Sequence, residues 1–274
     1  YYQQETSMSS VSFKYLLKSK SFKFMKDRKD KSHSVQSFKF QGKEIYYRTS
    51  TSDMTVIYEI ILKKGFNSEY YLPTVVNPKI IFDIGANIGA TTIYYANRFP
   101  GAKIFSFEPL LSNYEILEKN VKDIENVSIF NYGLGKEDGF FDIYLTDDEE
   151  NFGGVTMHNF DTYEKESIEK CKVRSVKAVL KELNVSSVDL IKIDTEGAEA
   201  DILMNIPNSI IQQTKWITGE LHGNKDFELL NYIDDIGFNI AMRKDIDKKL
   251  FMFNFVSNDI TDKLSAVEKK HLVR

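Results

Sequence analysis

Lys79-Ile80-Ile81-Phe82-Asp83-Ile84-Gly85-Ala86-Asn87-Ile88-Gly89-Ala90-Thr91-Thr92-Ile93 is the stretch that decides the fold. Ile80, Ile81, Phe82 and, past Asp83, Ile84 make an apolar run long enough for a strand and too short for a helix. Gly85 breaks the run, and a helix-like pattern restarts from Ala90 through Ala96. A buried strand that turns into a helix through small residues is what a nucleotide-shaped ligand needs. Glycines let the backbone approach the ligand, and a helix N-terminus offers unpaired N–H groups.

Such an elbow serves either a dinucleotide or an adenosyl cofactor. The dinucleotide fingerprint has glycine at its first, third and sixth positions; here those positions read Gly85, Asn87 and Ala90. Asn87 puts a side chain where a pyrophosphate needs space, and Asp83 adds a carboxylate that repels a diphosphate. Both suit S-adenosylmethionine, which carries an ammonium and a positively charged sulfur. An NAD-linked oxidoreductase is the disfavoured alternative. A non-catalytic domain that binds adenosylmethionine or a partner is another, and an ordinary strand–turn–helix junction is the plainest.

The next strand, Lys103-Ile104-Phe105-Ser106-Phe107-Glu108-Pro109, ends on an acid 23 positions after Gly85. In nucleotide-binding α/β folds an acid at about that distance pairs with ribose hydroxyls. A charge-assisted hydrogen bond of this type contributes roughly 1.5–3 kcal/mol. Pro109, which lacks the N–H that a ladder requires, stops the strand.

Working outward, 274 residues suit one large domain or a domain with an appendage, and 42% apolar residues supply a core. A net charge of −4 argues against a general DNA or nucleic-acid binder. The single cysteine, Cys171, excludes an intrachain disulfide. No apolar run approaches the ~20 residues of a membrane span, and no signal peptide opens the chain, so a cytoplasmic enzyme is expected. A homo-oligomer is compatible with the sequence. Because the chain opens on Tyr1 and not Met, residues upstream can have been cut away.

Residues 1–55 are expected as a basic arm and hairpin, and 56–274 as the main domain. Between 11 and 50, eleven Lys or Arg face Asp27, Asp30 and Glu44, a local charge of +8. The preferred reading is a solvated, partly mobile arm; the sharper one is a patch for an anionic substrate, a partner or a membrane surface. Val11, Tyr15 and Leu16 suggest a short amphipathic helix, Gln41-Gly42 a hairpin turn, and Val56 to Leu62 a short helix.

From Lys79 strands and helices alternate. After Glu108, Leu110 to Val121 reads as a helix and Val127 to Asn131 as a strand, followed by a loop at Tyr132-Gly133-Leu134-Gly135. Phe140 to Leu145 alternates like an edge strand. Residues 146–170, with Asp147 to Glu150 and Asn151-Phe152-Gly153-Gly154, read as a flexible loop over the site. Val176 to Leu183 reads as a helix, Val188 to Asp194 and Lys215 to His222 as strands, and 226–236 as a helix that Gly237 ends. Phe238 to Met242 and Leu250 to Val256 look like a closing antiparallel pair. The expected fold is α/β, Rossmann-like: a mostly parallel seven-stranded sheet with an antiparallel last strand and an N-terminal extension.

In such sheets ligands lie outside the carboxyl ends of the strands. The sequence puts Asp83/Gly85, Glu108, Asn131/Gly133, Asp194/Glu196 and Glu220/His222 at those ends. Unpartnered buried carboxylates are costly, so this set is hard to explain as core.

With these residues in view the chain resembles the FkbM family of S-adenosylmethionine-dependent methyltransferases. The likeness rests on Asp83-Ile84-Gly85-Ala86-Asn87-Ile88-Gly89, on Phe107-Glu108-Pro109, and above all on Ile191-Lys192-Ile193-Asp194-Thr195-Glu196-Gly197-Ala198-Glu199. It covers about residues 56 to 256. One stretch departs from the family pattern: Arg174-Ser175-Val176-Lys177-Ala178 stands where a Thr-Leu-Asp-like segment is usual. The resemblance implies O-methylation of a hydroxyl on a sugar, glycan or polyketide-like metabolite. RNA methylation is a third alternative, suggested by the basic arm; its base-amine branch is disfavoured, because Asp194-Thr195-Glu196-Gly197 stands where an Asn/Asp-Pro-Pro-Tyr signature would.

The expected cofactor contacts are Asp83, Gly85, Ala86, Asn87, Gly89, Glu108, Pro109, Leu110, Asn131, Gly133 and Asp194. His222 and Asp194 are the candidate bases, and ordinary pKa values of ~6.5 and ~3.9 favour His222 near neutrality. Glu196, Glu220 and His222 are expected to meet the acceptor, since Glu220 and His222 share a face of an extended strand. Asp194, Glu220 and His222 could bind a divalent cation, but spacing alone does not show it, and no metal is expected. His33, His158 and His271 read as solvated, and Lys192 is expected to reach the sheet edge.

Overall fold

The apolar run Ile80–Ile84 is a strand buried from Ile81 onward, and it lies at the centre of the molecule. The computed structural model describes residues 10–145, 155–156, 169–223, 225–243 and 251–272. In chain order the strands are β1 (Val35–Phe40), β2 (Lys43–Arg48), β3 (Ile80–Ile84), β4 (Lys103–Phe107), β5 (Val127–Phe130), β6 (Gly133–Gly135) and β7 (Gly139–Leu145). They continue with β8 (Val155–Thr156), β9 (Glu169–Ser175), β10 (Leu190–Ile193), β11 (Trp216–Leu221), β12 (Phe238–Arg243) and β13 (Phe251–Ser257).

Seven strands form the main sheet in the order β12-β13-β11-β10-β3-β4-β5. β11, β10, β3, β4 and β5 pair in parallel. β13 inserts antiparallel between β11 and β12. This is the expected mostly parallel sheet, with its antiparallel strand last in the chain. Helices Ala90–Arg98, Leu111–Val121, Val176–Glu182, Glu199–Leu203 and Asp226–Asp235 connect or follow its strands.

Residue alternation divides the core in two. Phe82, Ile84, Phe105, Phe107, Ile191 and Ile193 pack on one face, while Ile81, Ile104, Leu190 and Trp216 pack on the other. Period 2 then puts Asp83, Ser106, Lys192 and Thr218 on that second face. The register sets them side by side: Ser106 beside Asp83, Asp83 beside Lys192, Lys192 beside Thr218. All four are buried. One pleat further along the same face come Glu108, Gly85, Asp194 and Glu220, at the carboxyl ends of the strands.

The opposite end of the sheet is held by Asp189. Its carboxylate accepts from the amides of Lys79 and Ile80 at 2.9 and 3.0 Å and from Lys215 Nζ at 2.7 Å. Burial pushes its pKa up, but Lys215 and the two amides outweigh that and hold it below the usual carboxylate range. A folded pKa below the unfolded one gives stability that is present above the unfolded value and lost as pH falls through the folded one. An Asp189→Ala chain is expected to lose about 1–3 kcal/mol at neutral pH, read by urea unfolding, with the difference from wild type shrinking in acid.

Several elements differ from the sequence reading. Phe140 to Leu145 belongs to β7, which is in a second, four-stranded sheet of order β6-β9-β7-β8 and not at the edge of the main one. Gly133–Gly135 is a short strand, not a loop, and pairs in parallel with β9. The acid run Asp147 to Glu150, the stretch Asn151 to Gly154, His158 and the link 244–250 lie outside the described residues.

The basic segment is built into the fold. Helices Ser10–Ser19 and Phe22–Asp27 and the β1–β2 hairpin bury Tyr15, Phe24, Phe38, Ile45 and Tyr47 together with Ile88 and Ile116 of the main domain. Gln41 and Gly42, with φ of +50° and +85°, make the expected hairpin turn. Asn120 fastens the hairpin: its Oδ1 accepts from the Tyr46 amide at 2.7 Å, and its Nδ2 donates to Tyr46 O at 3.1 Å and Ile88 O at 2.8 Å. Over residues 10–48 the solvated arm is therefore replaced by a packed aromatic cluster, because Phe38, Ile45 and Tyr47 alternate along the hairpin and Tyr15 and Phe24 of the two helices pack with them. No helix among the described residues is long and apolar enough to cross a membrane.

Candidate functional site

The elbow between β3 and helix Ala90–Arg98 forms because three of its residues take left-handed backbone, Gly85 at φ +75°, Asn87 at +50° and Gly89 at +86°. A Cβ on Gly85 would stand 1.8 Å from the Asp194 carbonyl oxygen, and one on Gly89 would stand 2.6 Å from Leu117 Cδ1. These glycines answer to neighbouring protein, where the sequence reading assigned them to ligand clearance. The amides are also largely used. Those of Gly85 and Ala86 donate to Phe107 O, Asn87 N donates to Glu108 Oε2 at 2.7 Å, and Gly89 N donates to Ala86 O. The elbow thus offers a shape more than a set of free donors.

Asp83 lies behind the elbow, fully buried. Thr92 Oγ1 donates to its Oδ2 at 2.6 Å, and Lys192 Nζ is 3.8 Å from Oδ1. Lys192 stays inside the sheet and does not reach its edge. Its Nζ donates to Gly85 O at 2.6 Å, lies 3.8 Å from Asp194 Oδ2, and sits 5.4 Å from the centre of the Tyr70 ring. Burial disfavours the charge, but Asp194 and Asp83 outweigh it and raise the Lys192 pKa.

Glu108, at the end of β4, is 5% exposed. Besides the Asn87 amide it accepts from Leu110 N at 3.0 Å, and Asn113 Nδ2 is at 3.5 Å. Burial pushes its pKa up to about 7 against the pull of those amides. Arg48 donates to Asn113 Oδ1 at 2.7 Å and pairs with Asp53 at 2.8 Å, so the hairpin braces Glu108 through Asn113. Asn131 Nδ2 donates to the carbonyls of Glu108 and Pro109 at 3.0 and 3.1 Å. Leu110 is buried, and Gly133 begins β6 beside Pro109. Asn87 Oδ1 is a buried acceptor without a hydrogen-bond partner among the described residues. An orphan acceptor beside the Glu108 carboxylate fits a donor-bearing group such as an adenosyl group.

At the ends of β10 and β11 the acids converge on His222. Glu199 Oε1 lies 3.1 Å from His222 Nδ1 and also accepts from Thr195 N and Thr195 Oγ1 at 2.8 and 2.9 Å. His222 Nε2 faces Glu196 Oε2 at 3.5 Å, Asp194 Oδ1 at 3.7 Å and Glu220 Oε2 at 3.9 Å. The Tyr70 hydroxyl donates to Asp194 Oδ2 at 3.4 Å. Burial works against a charged imidazole, but the hydrogen bond to Glu199 and the charges of Asp194, Glu199 and Glu196 push its pKa up to about 10. This corrects the expectation of an ordinary imidazole near 6.5. Burial, then Asp194, raises the pKa of both Glu196 and Glu220. Glu69, just before Tyr70, is raised by burial and Asp194 as well.

The structure therefore brings Asp194, Glu196, Glu220 and His222 together, and places Asp83 and Glu108 against the elbow next to them. Glu69, Tyr70, Glu199 and Lys192 join the cluster without having been assigned a role from sequence. Period-2 alternation across the known strands could have paired Lys192 with Asp83. Nothing local marks Glu69 or Tyr70, which arrive from a loop.

Residues 83–249 match the Methyltransferase FkbM domain. The AMB antimetabolite synthetase AmbE of Pseudomonas aeruginosa is 26% identical over 61% of this chain, which spans only 10% of that protein. Methyltransferase 1 of Beauveria bassiana is 26% identical over 60% of this chain and 74% of its own length. The solved methyltransferase FkbM of Methylobacillus flagellatus superposes with a TM-score of 0.50 at 18% identity, covering 70% of this chain and 48% of that one. At that identity the superposition speaks for the fold alone.

Proposed function

The chain belongs to the FkbM methyltransferase domain family, and from that premise we propose that it is an S-adenosylmethionine-dependent O-methyltransferase acting on a hydroxyl of a sugar, glycan or polyketide-like metabolite. The observation that carries this reading is the row Glu108, Gly85, Asp194, Glu220. It lies on one face at the carboxyl ends of four neighbouring strands, with His222 beyond it. That is where an open α/β sheet holds its ligand.

Adenosylmethionine supplies a methyl group on a positively charged sulfur. Glu108 is suited to the ribose hydroxyls, and the elbow residues Gly85, Ala86, Asn87 and Gly89 to the adenosyl group. Pro109, Leu110, Asn131 and Gly133 frame the cofactor on the β4–β6 side. Asp83 acts from behind the elbow, by holding Thr92 and Lys192. The acidic cluster favours the cationic methionine end. Asp194 and Glu196 keep 30% and 40% of their side chains exposed, so they can meet ligand directly, with Glu220 and His222 beside them for the acceptor.

Transfer forms the acceptor O–CH₃ bond as the S–CH₃ bond breaks, the bonding pair staying on sulfur. The hydroxyl proton leaves toward Asp194, because His222, with its pKa pushed up to about 10, already carries a proton near neutrality and serves to orient Asp194. Positioning is worth effective molarities of ~10⁵–10⁸ M and a base ~10²–10⁴-fold, so alignment dominates.

A radiolabelled-methyl assay over hydroxylated glycans and metabolites tests the reading; incorporation into a hydroxyl supports it, and incorporation only into nitrogen or carbon overturns it. Glu108→Ala is expected to weaken S-adenosylhomocysteine binding roughly ten- to hundredfold in calorimetry, with a smaller effect on the acceptor KM. An unchanged affinity would remove Glu108 from the ribose.

A further inference from the structure

The geometry points to a divalent-cation site formed by Asp194, Glu220 and His222, with Glu199 orienting the imidazole. One donor atom from each of the three residues lies within 4.8 Å of the others. Donors on an ion about 2.1 Å away stand roughly 3 Å apart when adjacent and 4.2 Å when opposite, so small rotamer changes close the set. His222 Nε2 stands 3.7 Å from Asp194 Oδ1 and 3.9 Å from Glu220 Oε2. Those separations exceed the roughly 2.7–3.2 Å of a hydrogen bond but suit groups that share an ion.

The imidazole is more than one member of an acidic cluster. Its side chain is 9% exposed, and Glu199, itself 1% exposed, holds Nδ1 at 3.1 Å. The carboxylate on Nδ1 fixes the ring, and an ion binds Nε2 by displacing the proton it carries, as at metal-ligating histidines backed by a carboxylate. Glu199 is fixed in turn by Thr195 N and Oγ1. Charge argues the same way. Among the described residues, five carboxyl groups, Glu69, Asp194, Glu196, Glu199 and Glu220, gather around two basic side chains, Lys192 and His222. A divalent ion offsets that excess inside a poorly hydrated site.

Two carboxylates and one imidazole, without sulfur, select a borderline first-row ion of the manganese or zinc type over calcium or magnesium, which favour all-oxygen shells. If the proposed O-methyl transfer holds, on which this role rests, such an ion would receive the acceptor hydroxyl. With Asp194 engaged on the ion, the O–H proton would leave to solvent in place of Asp194, made easier to lose before oxygen attacks the methyl carbon.

The test is Mn²⁺ titration of the full chain followed by electron paramagnetic resonance, without cofactor or acceptor. One Mn²⁺ per chain is expected, with nitrogen hyperfine coupling from an imidazole in the wild-type spectrum. His222→Gln should abolish that coupling, and Glu220→Gln and Glu199→Gln should each weaken binding about 10–100-fold. Asp189→Asn, at the far edge of the sheet, should leave it unchanged. Absence of stoichiometric binding, or binding without nitrogen coupling, overturns the site even if the variants fail to fold. Mn²⁺ binding by a chain that does not bind S-adenosylhomocysteine upholds the site and rejects the methyltransferase reading; the reverse overturns the site alone.

Discussion

Gly85→Ala is expected to destabilise the chain by about 2–5 kcal/mol and to abolish cofactor binding in whatever fraction stays folded. Two independent costs add. The residue holds φ at +75°, where an L side chain loses roughly 1–2 kcal/mol. Its new methyl would also meet the Asp194 carbonyl oxygen at 1.8 Å, and relieving that overlap means parting β3 from β10. Overpacking of this kind costs about 1–3 kcal/mol. Thermal unfolding should move down on the order of 5–15 °C. Separation of the two strands also shifts Lys192, which bridges Gly85 O to Asp194, so both halves of the site are disturbed together. A folded Gly85→Ala chain with wild-type melting and cofactor affinity would show that the close approach is not a constraint.

Asp194→Asn is expected to lower methyl transfer about 10²–10⁴-fold at saturating cofactor while leaving the fold intact. The side chain lies among Lys192 at 3.8 Å, the Tyr70 hydroxyl at 3.4 Å and His222 Nε2 at 3.7 Å. It is 30% exposed, so it can touch a ligand while it anchors its neighbours. The near-isosteric amide keeps the hydrogen bond from Tyr70 but removes the charge that Lys192 and His222 face. Stopped-assay rates with circular dichroism separate the two effects. A loss under threefold would shift the catalytic work to Glu196, Glu220 and His222.

Much of the architecture was readable because parallel strands buried on both faces write themselves as short apolar runs. Ile80–Ile84, Lys103–Phe107 and Leu190–Ile193 carry that signature, and acids or glycine follow each one. The placement of Glu108, Asp194, Glu220 and His222 at strand ends followed from the same alternation. Three things were not legible. Whether a glycine serves a ligand or a neighbouring carbonyl depends on the strand beside it, and the Gly85–Asp194 approach joins residues more than a hundred positions apart. The protonation of His222 depends on acids brought in from Asp194, Glu196 and Glu199, so its ordinary pKa misleads. The segment 10–48 reads as charged because its lysines are many, yet Phe24, Phe38 and Tyr47 between them decide its packing.

Crystallography of the chain with S-adenosylhomocysteine tests the central claim most directly. The expected result is an adenosyl group over Gly85–Gly89, its ribose hydroxyls on Glu108 and its sulfur turned toward Asp194 and His222. A complex with that elbow vacant, or with a pyrophosphate bound there in preference, would contradict it.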